Sequence, residues 1–140
     1  MWSSQVLTRA IPLSINGPAN GWKTPRCDGE GKLMTQMMQA IAIKAAGGPD
    51  QLIVEDRPLP ELGAGDVLIK VAAAGVNRPD VLQRMGHYPP PPGITDIPGL
   101  EVAGVIAAVG EGVDAELIGR SVCALVAGGG YAEYCAAPVG

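Results

Sequence analysis

Hydrophobic and polar positions follow a strand-like rhythm from about Gln39 onward, and before that they follow none. Ala40 to Asp56, AIAIKAAGGPDQLIVED, is an extended run, a Gly-Gly-Pro-Asp turn and a second extended run, which predicts a β-hairpin. Pro58 and Pro60 break that pattern. Asp66 to Asn77, DVLIKVAAAGVN, predicts a strand with Val67, Ile69 and Val71 on one face, and its small residues Ala72 to Gly75 let another group approach the backbone closely. Asn77, Arg78, Pro79 and Asp80 read as a helix start: a polar cap, Pro in the first turn and an acid near the positive end of the dipole. The helix is short and ends by Gly86. Tyr88 and the run Pro89 to Pro92 then make a stiff loop with few backbone donors. Val102 to Val109 predicts a long apolar strand, Gly110-Glu111-Gly112 turns the chain, and Leu117 to Val126 and Tyr131 to Pro138 supply two final strands.

Composition narrows this to one mainly β domain. A chain of 140 residues holds a single ordinary domain, and its 20 Gly and 13 Pro favour short strands and many turns over long helices. Apolar residues reach 47%, enough for a core, although Phe is absent. The net charge of −4 and the scattered basic residues argue against a nucleic acid or an anionic membrane as partner. No apolar run approaches the roughly 20 residues of a bilayer span. Cys27, Cys123 and Cys135 have no C-x-x-C spacing, so neither a disulfide framework nor a zinc ribbon is encoded, and reduced thiols in a cytoplasmic location are expected. Residues 1–37, rich in Ser, Asn, Gly and Pro, are expected to be a poorly ordered extension, with residues 38–140 as the folded domain. Val6 to Ile15 is interrupted by Thr8, Arg9 and Pro12, so it is no secretory signal; a weak organelle presequence and a non-functional extension both remain open.

Two features invite functional readings that the pattern does not support. Gly128-Gly129-Gly130 lacks the third spaced Gly and the following helix of a dinucleotide fingerprint, and reads as a tight turn. His87, the single histidine, reads as a loop residue beside Tyr88 rather than a ligand or a general base.

Four segments carry a resemblance to a known family. Gly75-Val76-Asn77-Arg78-Pro79-Asp80, Gly86-His87-Tyr88-Pro89-Pro90-Pro91, Pro98-Gly99-Leu100-Glu101-Val102-Ala103-Gly104 and Gly129-Gly130-Tyr131-Ala132-Glu133-Tyr134 resemble, in order and separation, the medium-chain dehydrogenase/reductase superfamily. More narrowly they resemble its zinc-independent quinone oxidoreductase branch. The resemblance covers Gln39 to Gly140. It implies a GroES-like β-barrel with one or two short helices, the catalytic domain of enzymes whose other domain is a Rossmann fold binding NADPH.

The resemblance also frames the metal question. Zinc-dependent relatives have Cys where this chain has Asn77 and His where it has Leu100, and neither an amide nor an isobutyl group is a useful zinc ligand. The four-cysteine loop of those relatives is missing too, since only Cys123 lies between Val113 and Gly128. No metal is expected. What remains is direct hydride transfer from NADPH to a quinone or enone. The resemblance implies that Asn77 and Tyr88 are the catalytic and cofactor-binding residues. Asn77 would hold the carboxamide or an acceptor oxygen, and Tyr88 would donate its hydroxyl to a developing quinol oxyanion or touch the cofactor. Each also has a plainer reading, Asn77 as a helix cap and Tyr88 as packing beside the prolines. Tyr131 and Tyr134 read as strand residues, and Cys123 and Cys135 as inert.

A dinucleotide-binding domain takes on the order of 130 residues of alternating strands and helices. None is encoded here, so the expectation is a catalytic domain truncated before its nucleotide-binding domain, inactive alone and binding NADPH weakly. The alternatives are a free-standing GroES-like barrel with a binding role or no catalytic role and, more remotely, a zinc alcohol dehydrogenase. An exposed docking face of several hundred Å² is expected to promote self-association.

Overall fold

The computed structural model describes residues 36–140. The expectation for residues 1–37 therefore lies, up to residue 35, outside the described residues. The first strand, β1, begins at Met37 and runs Met37–Ile43; it pairs antiparallel with β2, Leu52–Pro58, in a continuous register from Ile43↔Leu52 to Met37↔Pro58. The turn between them is closed by Gln51 N–H on Gly48 O (3.0 Å) and Lys44 N–H on Gln51 O (2.9 Å), with Pro49 at the start of a single 3-10 turn, Pro49–Gln51. This is the hairpin expected from the two runs flanking Gly-Gly-Pro-Asp.

The remaining strands form a four-stranded sheet. They are β3 (Asp66–Ala74), β4 (Glu101–Val109), β5 (Ser121–Leu125) and β6 (Tyr134–Pro138), in the order β5-β4-β3-β6 with every neighbour antiparallel. Period-two alternation sets the core. Val67 and Ile69 of β3, Val102 and Ile106 of β4, Val122 and Ala124 of β5, and Cys135 and Ala137 of β6 pack into one cluster, with Val71 partly buried against it. Full burial of an aliphatic side chain of this size stabilises by about 1.5–3 kcal/mol, so this ladder carries most of the framework. Leu68, on the other face of β3, is also buried, so the strand is covered on both sides at this point. Gly104 allows β4 to pass against β3: a Cβ there would collide with the Lys70 carbonyl. The register slips nearby, between Val71 and Ala73.

The hairpin and the larger sheet meet at residues 131–133. Ile41 N–H donates to Tyr131 O (2.8 Å), Glu133 N–H to Gln39 O (3.0 Å), and Val71 N–H to Glu133 O (2.9 Å), with Ala40 and Ala132 forming an isolated bridge. Met38, Ala40 and Ile97 make a second small core here, flanked by Leu59, Tyr131 and Tyr134. The result is a mainly β, GroES-like arrangement whose two sheets do not close into a continuous ring. No doubly wound nucleotide-binding sheet occurs among the described residues.

Two strand boundaries differ from expectation. The segment expected to become a strand at Leu117 is a 3-10 turn, Ala115–Leu117, and β5 starts at Ser121. Asp114 caps that turn by accepting from Glu116 N–H (2.9 Å), and Gly119 at φ 86° reverses the chain, so local capping overrides the apolar run. The strand expected from Tyr131 starts at Tyr134. Tyr131 is held out of it because its N–H donates to Pro98 O (2.9 Å) while its carbonyl bonds to β1. The Gly128–Gly130 tract is the tight turn foreseen: Gly129 N–H donates to Ile97 O (2.8 Å) and Gly130 N–H to Gly99 O (3.1 Å), so both donors are already used.

Candidate functional site around the first turn of the helix

The chain leaves β3 at Ala74 and passes through Gly75, whose N–H donates to Glu101 O (3.2 Å); the Glu101 side chain occupies the space a Cβ on Gly75 would need. Asn77 follows in extended conformation (φ −114°, ψ 158°) and caps the single α-helix of the described residues, α1, Arg78–Arg84. Pro79 sits in the first turn, where its missing N–H costs nothing. Asp80 is the third helical residue and only 5% exposed. Its Oδ2 accepts from the Asn77 N–H at 2.7 Å, the acidic half of a capping box.

A second donor reaches the same oxygen. The Tyr131 hydroxyl lies 2.9 Å from Asp80 Oδ2 and 3.3 Å from the Gly75 carbonyl, and its single proton belongs with the nearer, charged acceptor. Burial, and next the hydrogen bond and charge of Asp80 with a further push from Glu101, raise the Tyr131 phenol to about 12. Asp80 Oδ1 is buried without a hydrogen-bond partner among the described residues.

The far end of α1 is built differently. Gly86 at φ 83° ends the helix: its N–H donates to Gln83 O (3.0 Å) and the His87 N–H to Leu82 O (2.8 Å), a Schellman arrangement that turns the chain outward. His87 and Tyr88 emerge on the surface, Tyr88 with 43% of its area exposed. A seven-residue helix rises about 10 Å, so α1 separates Asn77 from Tyr88. Asn77 is thus half-buried in a hydrogen-bonded cluster, whereas Tyr88 stands at the mouth of the proline loop. Leu100 is half-buried beside Glu101 at the start of β4, and no three His, Cys, Asp or Glu side chains converge as a metal site among the described residues.

The structure adds Asp80 and Tyr131 to the two residues expected here. Asp80 had a visible signal, an acid three places after an Asn cap, but reads there only as dipole compensation. Tyr131 reads as a strand residue; its position directly after three glycines, which release it from the ladder, was the missed signal. A cavity of about 590 Å³ lies elsewhere, between the hairpin base and the Gly128-Gly129 turn; Met38, Leu59, Ile97 and Cys135 are among the residues lining it, and Asn77 and Tyr88 are not. Burial raises the Cys135 thiol to about 11, which keeps it protonated and unreactive near neutrality. Cys123 is exposed.

The profile of the alcohol dehydrogenase GroES-like domain matches residues 63–140. The chain belongs to that family. Within it, the chain is 43% identical over 106 residues to a quinone oxidoreductase of Lama guanicoe, a match covering 73% of this chain and 32% of that protein. The quinone oxidoreductase from Coxiella burnetii superposes with a TM-score of 0.66 at 29% identity, over 74% of this chain and 35% of that one. A mycobacterial protein solved in complex with NADPH superposes with a TM-score of 0.60 at 40% identity, over 72% and 30%. The chain spans about a third of the length of these relatives. The four resembling segments lie within the GroES-like region matched, in the medium-chain dehydrogenase/reductase superfamily.

Proposed function

We propose that this chain is the catalytic-domain portion of a zinc-independent NAD(P)H:quinone oxidoreductase, in which Asn77 and Tyr88 line the acceptor cleft. The observation that carries the reading is the placement of Asn77: an amide where a metal-binding relative needs a thiolate, on a residue whose backbone N–H is held by a buried carboxylate at the start of a helix rather than free on a loop. The similarity to quinone oxidoreductases, one relative of the family being solved with NADPH, supports the substrate and cofactor classes.

The described residues fit only the reacting end of such a cofactor. The N–H groups of Gly129 and Gly130 are spent on carbonyls, and α1 is too short to serve as an anion-binding helix, so nothing among the described residues cradles a pyrophosphate. NADPH, when bound through a further domain, supplies the hydride. Asn77 orients a carboxamide or an acceptor oxygen through its amide. Tyr88, exposed on the surface, donates a hydrogen bond to the oxygen on which negative charge develops as a quinone becomes a quinol. Because the reduced ring is aromatic, the acceptor needs no Lewis acid. By itself the chain does not hold NADPH tightly or turn over. Val76 (80% exposed) and Met85 leave apolar area at the two ends of α1 that favours self-association, in a protein we place in the cytoplasm.

Titrating the purified chain with menadione, a neutral quinone, while following its amide resonances tests the cleft. Shifts confined to Asn77, Tyr88 and their neighbours are expected. Shifts centred on the Met38, Leu59, Ile97 cavity would move the acceptor site and contradict the assignment.

A further inference from the structure

We propose that Tyr131 and Asp80 are positioning residues for Asn77, tying the seam between the two sheets to the turn that presents the amide. The inference rests on the reading of Asn77 as a cleft residue, and three observations carry it. First, among the described residues the Asp80 carboxylate has just two donors, the Asn77 N–H at 2.7 Å and the Tyr131 hydroxyl at 2.9 Å, and both fall on Oδ2. Oδ1 is buried with no partner among the described residues, so no other hydrogen bond there fixes the rotation of the group. Removing the phenolic donor leaves the Asn77 N–H as the one hydrogen bond to it among the described residues.

Second, the Tyr131 side chain approaches from a backbone anchored independently of α1. Its N–H donates to Pro98 O (2.9 Å) and its carbonyl accepts from Ile41 N–H (2.8 Å), so the residue is pinned at once to the start of β4 and to the hairpin. Third, the approach is sterically built. Gly99 at φ 103° carries no Cβ, and one placed there would fall 2.7 Å from both the Tyr131 ring and its backbone nitrogen. Gly130 likewise could not carry a side chain without meeting the Gly99 backbone at 2.9 Å. Two glycines therefore clear the path by which one phenol reaches one carboxylate. Glu101, beside Gly75, adds a second negative charge near the hydroxyl and keeps its proton in place for donation.

Hydrogen exchange on the whole chain tests the proposal without any assumption about catalysis. In Y131F the Asn77 amide should exchange at least tenfold faster than in the unsubstituted chain, with the Ile69 amide in the β3 ladder unchanged. D80N preserves shape and leaves one oxygen for both donors, but as neutral bonds; it should give a smaller acceleration at Asn77, and it covers the case in which Y131F does not fold. Menadione affinity at the cleft should fall at least fivefold in Y131F. Equal Asn77 exchange in all folded variants overturns the positioning role, as does acceleration spread evenly over β3. If menadione leaves the unsubstituted chain's Asn77 undisturbed, the functional reading fails by itself, and the exchange arm still decides whether Tyr131 and Asp80 hold the turn.

Discussion

The two ends of α1 carry the two residues that the family resemblance singles out, and they are held in opposite ways. At the Asn77 end a buried carboxylate takes two hydrogen bonds, one from the cap itself and one from a tyrosine fifty-one residues on. At the Tyr88 end a glycine in the left-handed region simply turns the chain into solvent, ahead of prolines that offer few donors. Preorganisation is thus concentrated on the amide. A group that must orient a substrate benefits from a fixed backbone, while one that donates to a charge appearing late can adjust.

Substitutions should break this asymmetry in a graded order. The largest effect is expected from G99A, which places a Cβ against Tyr131 in a backbone region that L-residues avoid; a loss of about 2–4 kcal/mol in urea denaturation is expected, with the Asn77 end loosened. Next comes alkaline pH. Cys135 has a folded-state thiol raised from 9.0 to about 11, so the unfolded chain ionises first. Its contribution is intact below pH 9 and is lost as pH rises toward 11, about 3 kcal/mol in all. Tyr131 continues the trend from 10 to about 12. Urea midpoints should therefore fall steeply above pH 9, and C135A should flatten the first part of that fall.

Y131F should cost less, about 1–2 kcal/mol, for one hydrogen bond to a charged acceptor. Y88A should sit at the bottom of the scale, within about 0.5 kcal/mol of the parent by thermal melting, because the residue lies on the surface with 43% of its area exposed. It should nonetheless weaken menadione binding several-fold. A stability loss from Y88A as large as that from Y131F would erase the distinction between the two ends.

Much of the frame was legible in the chain. The hairpin followed from two extended runs about a Gly-Gly-Pro-Asp turn, β3 from alternation, β4 from its long apolar run, and α1 from its cap, its proline and Gly86. What was not legible depended on one local cap and on partners distant in sequence. Leu117 belongs to an apolar run that a local cap at Asp114 diverts into a turn. Tyr131 has the composition of a strand residue, and only the proximity of Gly99 and Asp80 in space pulls it away. Asp80 showed its capping role in the sequence but not the second donor that makes it a link between elements. The expected barrel is present as two sheets joined at residues 131–133, with the seam running through the residue that sequence patterning placed least well.

The most direct test grafts residues 36–140 onto the remainder of the Lama guanicoe quinone oxidoreductase in place of its corresponding segment. The account predicts NADPH-dependent menadione reduction that survives exhaustive chelation, with no bound zinc, and that falls at least tenfold in N77A. A folded graft that is inactive, or whose activity requires stoichiometric zinc, would contradict it.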